Sequence, residues 1–430
     1  LEFRRVLFRS KTVFMLELSS LKQIAETYTD MLNEAAESPQ QLKHIHHAED
    51  RPLLHGSEGF EHAHAALMHA HEHMKSGKHN THLTMKYDGS PSIVFGHHPK
   101  TKKFFVATKS AFNKNPKINY TEKDIDANHG HAPGLARTLK HALKHLPKVA
   151  PKHGVYQGDV LHTADSKHLH ENAILLEAKS VSFTPNTITY TAHGDEAKKV
   201  ARSKFGVVVH QQYHPHGAGG GVEHMSVSPH PDTHNFGSHP DVHLKTAEHD
   251  TSKINYSKHD QGAFEKHMAA AKEIHDAHKG KMYAATEKHR GEAGHLSTYI
   301  NHTVRTGEKP SVQGLQHHIT SHYEKQASGL KTPAGQEKKR AIGTEHNAHI
   351  EKHAKHYANL LSMHHHLQQA KNVLVHNLEK HEGGLSHHIG GNKSKPEGFV
   401  INHKFKGHEE PTKLVNRAEF ARANLLKSRG

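Results

Sequence analysis

The chain has 430 residues, of which 54 are histidine, and it carries no cysteine and no tryptophan. The missing cysteine excludes a disulfide framework and every thiolate-ligated zinc or iron–sulfur site. Lysine and arginine outnumber aspartate and glutamate by 57 to 43, a formal charge of +14 with histidine neutral, and hydrophobic residues are 33%. At an ordinary imidazole pKa about a quarter of the histidines would be protonated near neutrality, adding roughly 13 charges. Such a chain favours polyanions, and its charge is expected to climb further between about pH 7 and 6. No run approaches the ~18 apolar residues that span a bilayer, so no membrane insertion and a cytoplasmic location are expected.

Taken in order, residues 1–14 read as a non-native leader, because LFRS resembles the translation of a sequencing-adapter end; Met15 is the expected start. Leu16, Leu21, Ile24, Ala25, Tyr28, Met31 and Leu32 recur at three and four, predicting a helix over 16–35. A second helix is expected over 58–76, ending at Gly77, so 15–80 forms a helical N-terminal segment.

From Leu83 the period becomes that of strands. The pattern predicts strand–turn–strand over 82–96, a strand at Phe104–Thr108 and a helix at Ala136–Leu146. Strands follow at Gly154–Leu161, Ala173–Ser182, Thr187–Thr191 and Phe205–Gln211, making 81–215 the first part of a core. The Gly-, Pro- and His-rich stretch 216–255 predicts a long loop with little regular structure.

Residues 256–385 read as a helical insertion whose longest element is a single helix over 336–381, stopped by Gly383–Gly384. Strands return at Gly398–Phe405 and Lys413–Asn416 around a turn at GHEEP, so 386–430 completes the core. The histidines are scattered through all of these segments. His364, His365 and His366 point in different directions on a helix, and i,i+4 pairs such as His141/His145 are common by chance at this density. They read as surface composition rather than as a metal site.

Five short motifs recur in order on predicted strands or their ends. Lys86-Tyr87-Asp88-Gly89 comes first, then FFVATKS (Phe104–Ser110) with Lys109, then Tyr156-Gln157-Gly158-Asp159. Glu397-Gly398-Phe399-Val400-Ile401 and Lys413 follow after the helical insertion. This series resembles the signature of the covalent nucleotidyltransferase superfamily: ATP-dependent DNA ligases, RNA ligases and mRNA capping enzymes. It covers about 80–215 and 390–430. The core K-Y-D-G-S-P, with its helix-rich lead-in, also resembles tailed-bacteriophage proteins of K-(W/Y)-D-G-x-P type.

The resemblance implies an α+β fold: an antiparallel two-sheet, ligase-like core with an N-terminal helical segment and a large helical insertion. It implies ATP and Mg²⁺, with Lys86 attacking the α-phosphate to form lysyl-AMP. Thr84, Asp88, Gly89, Lys109, Glu397 and Lys413 would bind the nucleotide, and Asp159 and Glu397 the metal. The partner implied is nucleic acid with 5′-phosphorylated ends, RNA before DNA. Free lysine titrates near ~10.4, so a lysine nucleophile needs neighbouring cations and partial burial to lose its proton. Those cations, Lys413 and Lys109, would also hold the phosphate, while Gly89 would let the chain pass close to the nucleotide.

Several positions depart from the family pattern. Thr84 stands where glutamate is common, Lys109 where arginine is common, and Asp159 where glutamate is common. Val415 replaces the second lysine of K-x-K, with Asn416 and Arg417, or the literal pair Lys404 and Lys406, as substitutes. Phe183 and Tyr213 are the candidate adenine-stacking aromatics. These departures motivate a rival reading, a catalytically silent relative that binds nucleic acid or a virion component.

Overall fold

A computed structural model of the chain describes residues 45–76, 83–113, 115–169, 180–215, 222, 225–228, 235–287, 292–381 and 384–417. The expected leader, the helix over 16–35 and the first part of the strand Ala173–Ser182 lie outside them.

A 3-10 turn at Ala48–Asp50 leads into α1, Arg51–Ser76. Its break at Gly56 (φ 57°, ψ −136°) uses a left-handed backbone that glycine adopts without penalty. Beyond the break Phe60, Ala63, Leu67, Ala70 and Met74 are buried at three- and four-residue spacing. Strands β1 (Leu83–Lys86), β2 (Ser92–His97) and β3 (Phe104–Ala107) follow, then two helices that the sequence pattern showed only in part. The first, α2 at Glu122–His129, is closed by a Thr121/Asp124 capping box, and α3 at Pro133–His145 opens on proline.

Strands β4 (Val155–Thr163), β5 (Lys167–Leu169), β6 (Ser180–Phe183) and β7 (Thr189–His193) come next. A short helix unmarked by the sequence pattern, α4 at Gly194–Arg202, buries only Ala197 and Val200, too few apolar positions to set a period. It precedes β8 (Phe205–Pro215). The expected loop over 216–255 is corrected: it contains β9 (Met225–Ser228) and β10 (Val242–Thr246). Glu248 forms a bridge with Thr84, and Met85 N–H donates to Ala247 O at 2.6 Å, so this segment edges β1.

The helical layer comprises α5 (Lys258–Glu287), α6 (Glu292–Thr306), α7 (Val312–Ser328), α8 (Pro333–Lys352) and α9 (Ala354–Leu378). The single helix expected over 336–381 is therefore two, broken at His353 (φ −115°, ψ 19°). A periodic apolar seam carries through such a break, because each half still presents one buried face. Strands β11 (Leu385–Ile389), β12 (Asn392–Ser394), β13 (Gly398–Phe405) and β14 (His408–Leu414) close the order. The GHEEP stretch is mostly strand, and Lys413 faces Val400 across the β13–β14 pair.

The molecule is α+β, and the described strands form three sheets where two antiparallel ones were expected. One runs β1-β13-β14, a second β10-β8-β4-β2-β3 with β9 on β8, and a third β12-β11-β7-β6-β5. The β10–β8 pair is parallel. The pairs β1–β13 and β11–β7 return the chain, after the helical layer, to the sheets it left. One hydrophobic core joins the helical layer to the β1-β13-β14 and β11-β7-β6 strands; a second lies under α2 and α3 against the β8-β4-β2-β3 sheet. Among the described residues no helix is long and apolar enough to cross a membrane.

The reading of histidine as surface composition is corrected for part of the set. His62, His71, His162, His243, His364 and His387 are among several that are buried. Burial lowers the pKa of His249, His318, His387 and His403 to about 4. These imidazoles take no part in any rise of charge just below neutrality.

Candidate active site

β1 pairs with β13 so that Thr84 faces Val400 and Lys86 faces Gly398, while Val400 also faces Lys413. Thr84, Val400 and Lys413 thus form one row across the sheet. Lys86, two residues beyond Thr84, projects on the same face. These four residues and Asp159, on β4 of the neighbouring sheet, line one cavity of about 110 Å³.

Asp159 is joined there by His210, whose Nε2 lies 3.2 Å from its Oδ1. The pairing of β4 with β8 slips at this point: Gly158 faces Val209 and Gln157 faces Gln211, leaving His210 as the extra residue of a bulge. A bulge re-aims its side chain, which is why alternation along FGVVVHQQ could not place it.

Lys86 Nζ donates to Glu397 Oε1, and Glu397 Oε2 is buried without a hydrogen-bond partner among the described residues. Burial lifts the Glu397 carboxyl above its usual value, against the pull of Lys86 and Lys413. Burial, with Lys86, Arg417 and Lys109 nearby, brings the Lys413 ammonium down to about 8. Burial alone would raise Asp159, but His210, the Ser92 hydroxyl and Lys86 hold it below the usual carboxylate range. Lys109 is exposed on the 3-10 turn Lys109–Phe112, close enough to Lys413 to act on it through its charge.

Asp88 is turned away from this group. Its Oδ1 accepts from Asn186 Nδ2 at 2.9 Å, and its Oδ2 from the backbone of Thr187 (2.7 Å) and Ile188 (2.9 Å). Its own N–H donates to the Tyr190 hydroxyl at 2.6 Å. Asp88 therefore ties the end of β1 to the loop before β7, and its charge helps to raise the Glu397 carboxyl. Gly89 is needed because a β-carbon there would sit 2.6 Å from Asp159 Cβ; its close approach is to the acid itself.

Phe183 and Tyr213 do not line the cavity. Phe183 stacks on Tyr190 in the core, and Tyr213 packs on Phe112 and donates to Gln157. Of the two lysine options on the last hairpin, Lys413 lies in the cavity, while exposed Lys406 pairs with Glu58 at 2.8 Å. Arg417 is committed elsewhere: its Nη1 lies 2.9 and 2.8 Å from the two oxygens of Asp50. Asn402 also lines the cavity, a position the motifs did not single out.

Residues 42–429 match the model of DUF6267, a family of unknown function. The chain belongs to this family. No curated protein and no solved structure matches the chain. The DUF6267 match includes Lys86, Asp159 and Lys413 of the cavity and Glu397, which is hydrogen-bonded to Lys86. Among the described residues of this DUF6267 member, no three or more His, Asp or Glu side chains are assembled to hold a metal ion.

Proposed function

We propose that this protein is an ATP-dependent nucleotidyltransferase of the polynucleotide-ligase kind, acting through lysyl-AMP on Lys86 and joining 5′-phosphorylated ends, RNA before DNA. The observation that carries this reading is convergence: Lys86, Asp159 and Lys413, distant in sequence, line one cavity, and Glu397 joins them through its hydrogen bond with Lys86. The Lys86 amine attacks the α-phosphorus of ATP, a P–N bond forms, and the bond to the pyrophosphate oxygen breaks. Glu397, hydrogen-bonded to Lys86 with its carboxyl pKa raised, is placed to accept the ammonium proton. Lys413 and Lys109 attract the phosphate oxygens. The AMP then passes to a 5′-phosphate as the P–N bond breaks and the lysine is regenerated.

A magnesium ion, when bound, neutralises phosphate charge. The orphaned, buried Oε2 of Glu397 fits a hard cation, and Asp159 is the second oxygen donor of the pair. The rival reading is a silent relative that binds polyanions. It is favoured by two observations: Asp159 is already paired with His210, and both stacking candidates are occupied in packing. Incubation with α-labelled ATP and magnesium separates the two. An acid-labile protein adduct that disappears in Lys86→Ala supports the transferase; salt-dependent nucleic-acid binding with no adduct supports the silent relative.

A further inference from the structure

Away from the cavity, α1 and α5 bring together a serine, a histidine and an aspartate. Ser57 Oγ lies 2.9 Å from His275 Nε2, and His275 Nδ1 lies 3.2 Å from Asp276 Oδ1. The imidazole is 3% exposed and stacks on Phe60, with ring centroids 3.9 Å apart and planes at 11°. Ser57 is half-buried, and the Asp276 side chain is 49% exposed.

The tautomer follows from the partners. Lys272 and His275 hold the Asp276 carboxyl below its usual range, so it is ionised and can only accept. His275 Nδ1 therefore carries the hydrogen, Nε2 presents a lone pair, and the Ser57 hydroxyl donates to it. Burial pushes the His275 imidazole below its ordinary value, against the raising effect of Asp276, which keeps it neutral and basic near neutrality. This is the arrangement a serine nucleophile needs: base within hydrogen-bond reach, and base oriented by a carboxylate.

The backbone adds a reason for where Ser57 stands. It is the first residue after the break at Gly56, where the helix restarts. Negative charge developing on a group attached to it forms beside a helix N-terminus, the end that favours anions.

We propose that Ser57, His275 and Asp276 form a second reactive site that acylates on Ser57, taking a small activated carboxylic ester. Ser57 Oγ adds to the ester carbonyl as its proton passes to His275 Nε2; the C–O bond to the alcohol breaks and the alcohol leaves with that proton. Water, deprotonated by the same imidazole, then adds to the acyl carbonyl; the acyl–serine bond breaks, the acid leaves, and the proton on His275 Nε2 returns to Ser57 Oγ. With so many surface imidazoles in the chain, bulk ester hydrolysis would not report on this serine, so the test must be mapped to the residue.

The full-length chain is treated near neutral pH with a fluorophosphonate probe and digested, and the labelled peptides are identified by mass. The expected result is label on Ser57, absent in Ser57→Ala and slowed roughly 10²-fold in His275→Gln. Should His275→Gln misfold, Asp276→Asn, altered at a half-exposed position, is expected to slow labelling about 10-fold with an unchanged melting curve. No label on Ser57 in the folded wild type, or a Ser57 rate untouched by Asp276→Asn, overturns the proposal.

Discussion

Lys371 and Lys413 are both basic side chains taken largely out of water, and they are held in opposite ways. Lys371, on α9, donates to Glu49, and both are fully buried. Around them Arg417 grips Asp50, and His364 Nε2 lies 3.1 Å from Asp50 Oδ1. Cation and anion are matched there, and the cluster stitches the 45–50 segment and the end of the last hairpin to the helical layer. Lys413 N–H donates to His46 O at 2.9 Å on the other edge of the same segment. Its ammonium, however, has no carboxylate within ion-pair distance among the described residues, and Lys86 and Lys109 add charge of the same sign. Glu397 answers Lys86, and Asp159 is committed to His210. A matched cluster serves the fold; Lys413, which has no such partner among the described residues, is where the proposed nucleotide would bring its charge.

Removing one partner should break the first region hardest. Lys371→Met leaves Glu49 charged and buried and is expected to lower unfolding stability by about 3–5 kcal/mol in urea titration. The double variant Lys371→Met with Glu49→Leu should recover most of that loss, since a buried pair and an apolar pair are often of similar worth. If the single variant costs no more than a surface change, the cluster is not the closed circuit described.

The second region should respond in rate rather than stability. Lys413→Met is expected to slow adduct formation from ATP about 10²-fold while the melting curve holds. The wild-type rate should fall as pH rises through about 8, where Lys413 loses its charge. Lys413→Arg should keep the charge and lose that alkaline limb. An unchanged limb would assign it to another group.

A further test concerns the histidines. His249, His318, His387 and His403 titrate at about 4 in the fold against 6.5 free. Between those values the unfolded chain takes up protons that the folded chain refuses. Their contribution to stability is thus whole above 6.5 and is lost progressively as pH falls toward 4. Urea midpoints measured across that window should decline, and His387→Phe should make the decline shallower. A flat profile would show that burial does not govern these imidazoles.

Some of this was legible in the sequence and some was not, for physical reasons. Lys86 and Lys413 could be aligned because each sits on a strand with strong β-pattern, and Glu397 because it immediately precedes one; register then brings them together. His210 was hidden because a bulge breaks the two-residue alternation on which such reading depends. Asp88 matched a motif, yet its carboxylate is filled by the backbone of 187–188, a long-range contact no local pattern encodes. The strand β10 was obscured by its Gly- and Pro-rich flanks, and the break at His353 by an apolar seam that runs through it. The buried ions Glu49 and Lys371, and Asp50 beside them, look like ordinary surface residues until tertiary structure pairs them.

The central claim is that Lys86 is the nucleophile in a cavity arranged for an anion. The direct measurement is to incubate the full chain with ATP and magnesium, quench under alkaline conditions that preserve a phosphoramidate, digest, and locate AMP by mass. AMP on the peptide carrying Lys86, and on no other lysine, is the result predicted. No adduct, or AMP attached elsewhere, would contradict it.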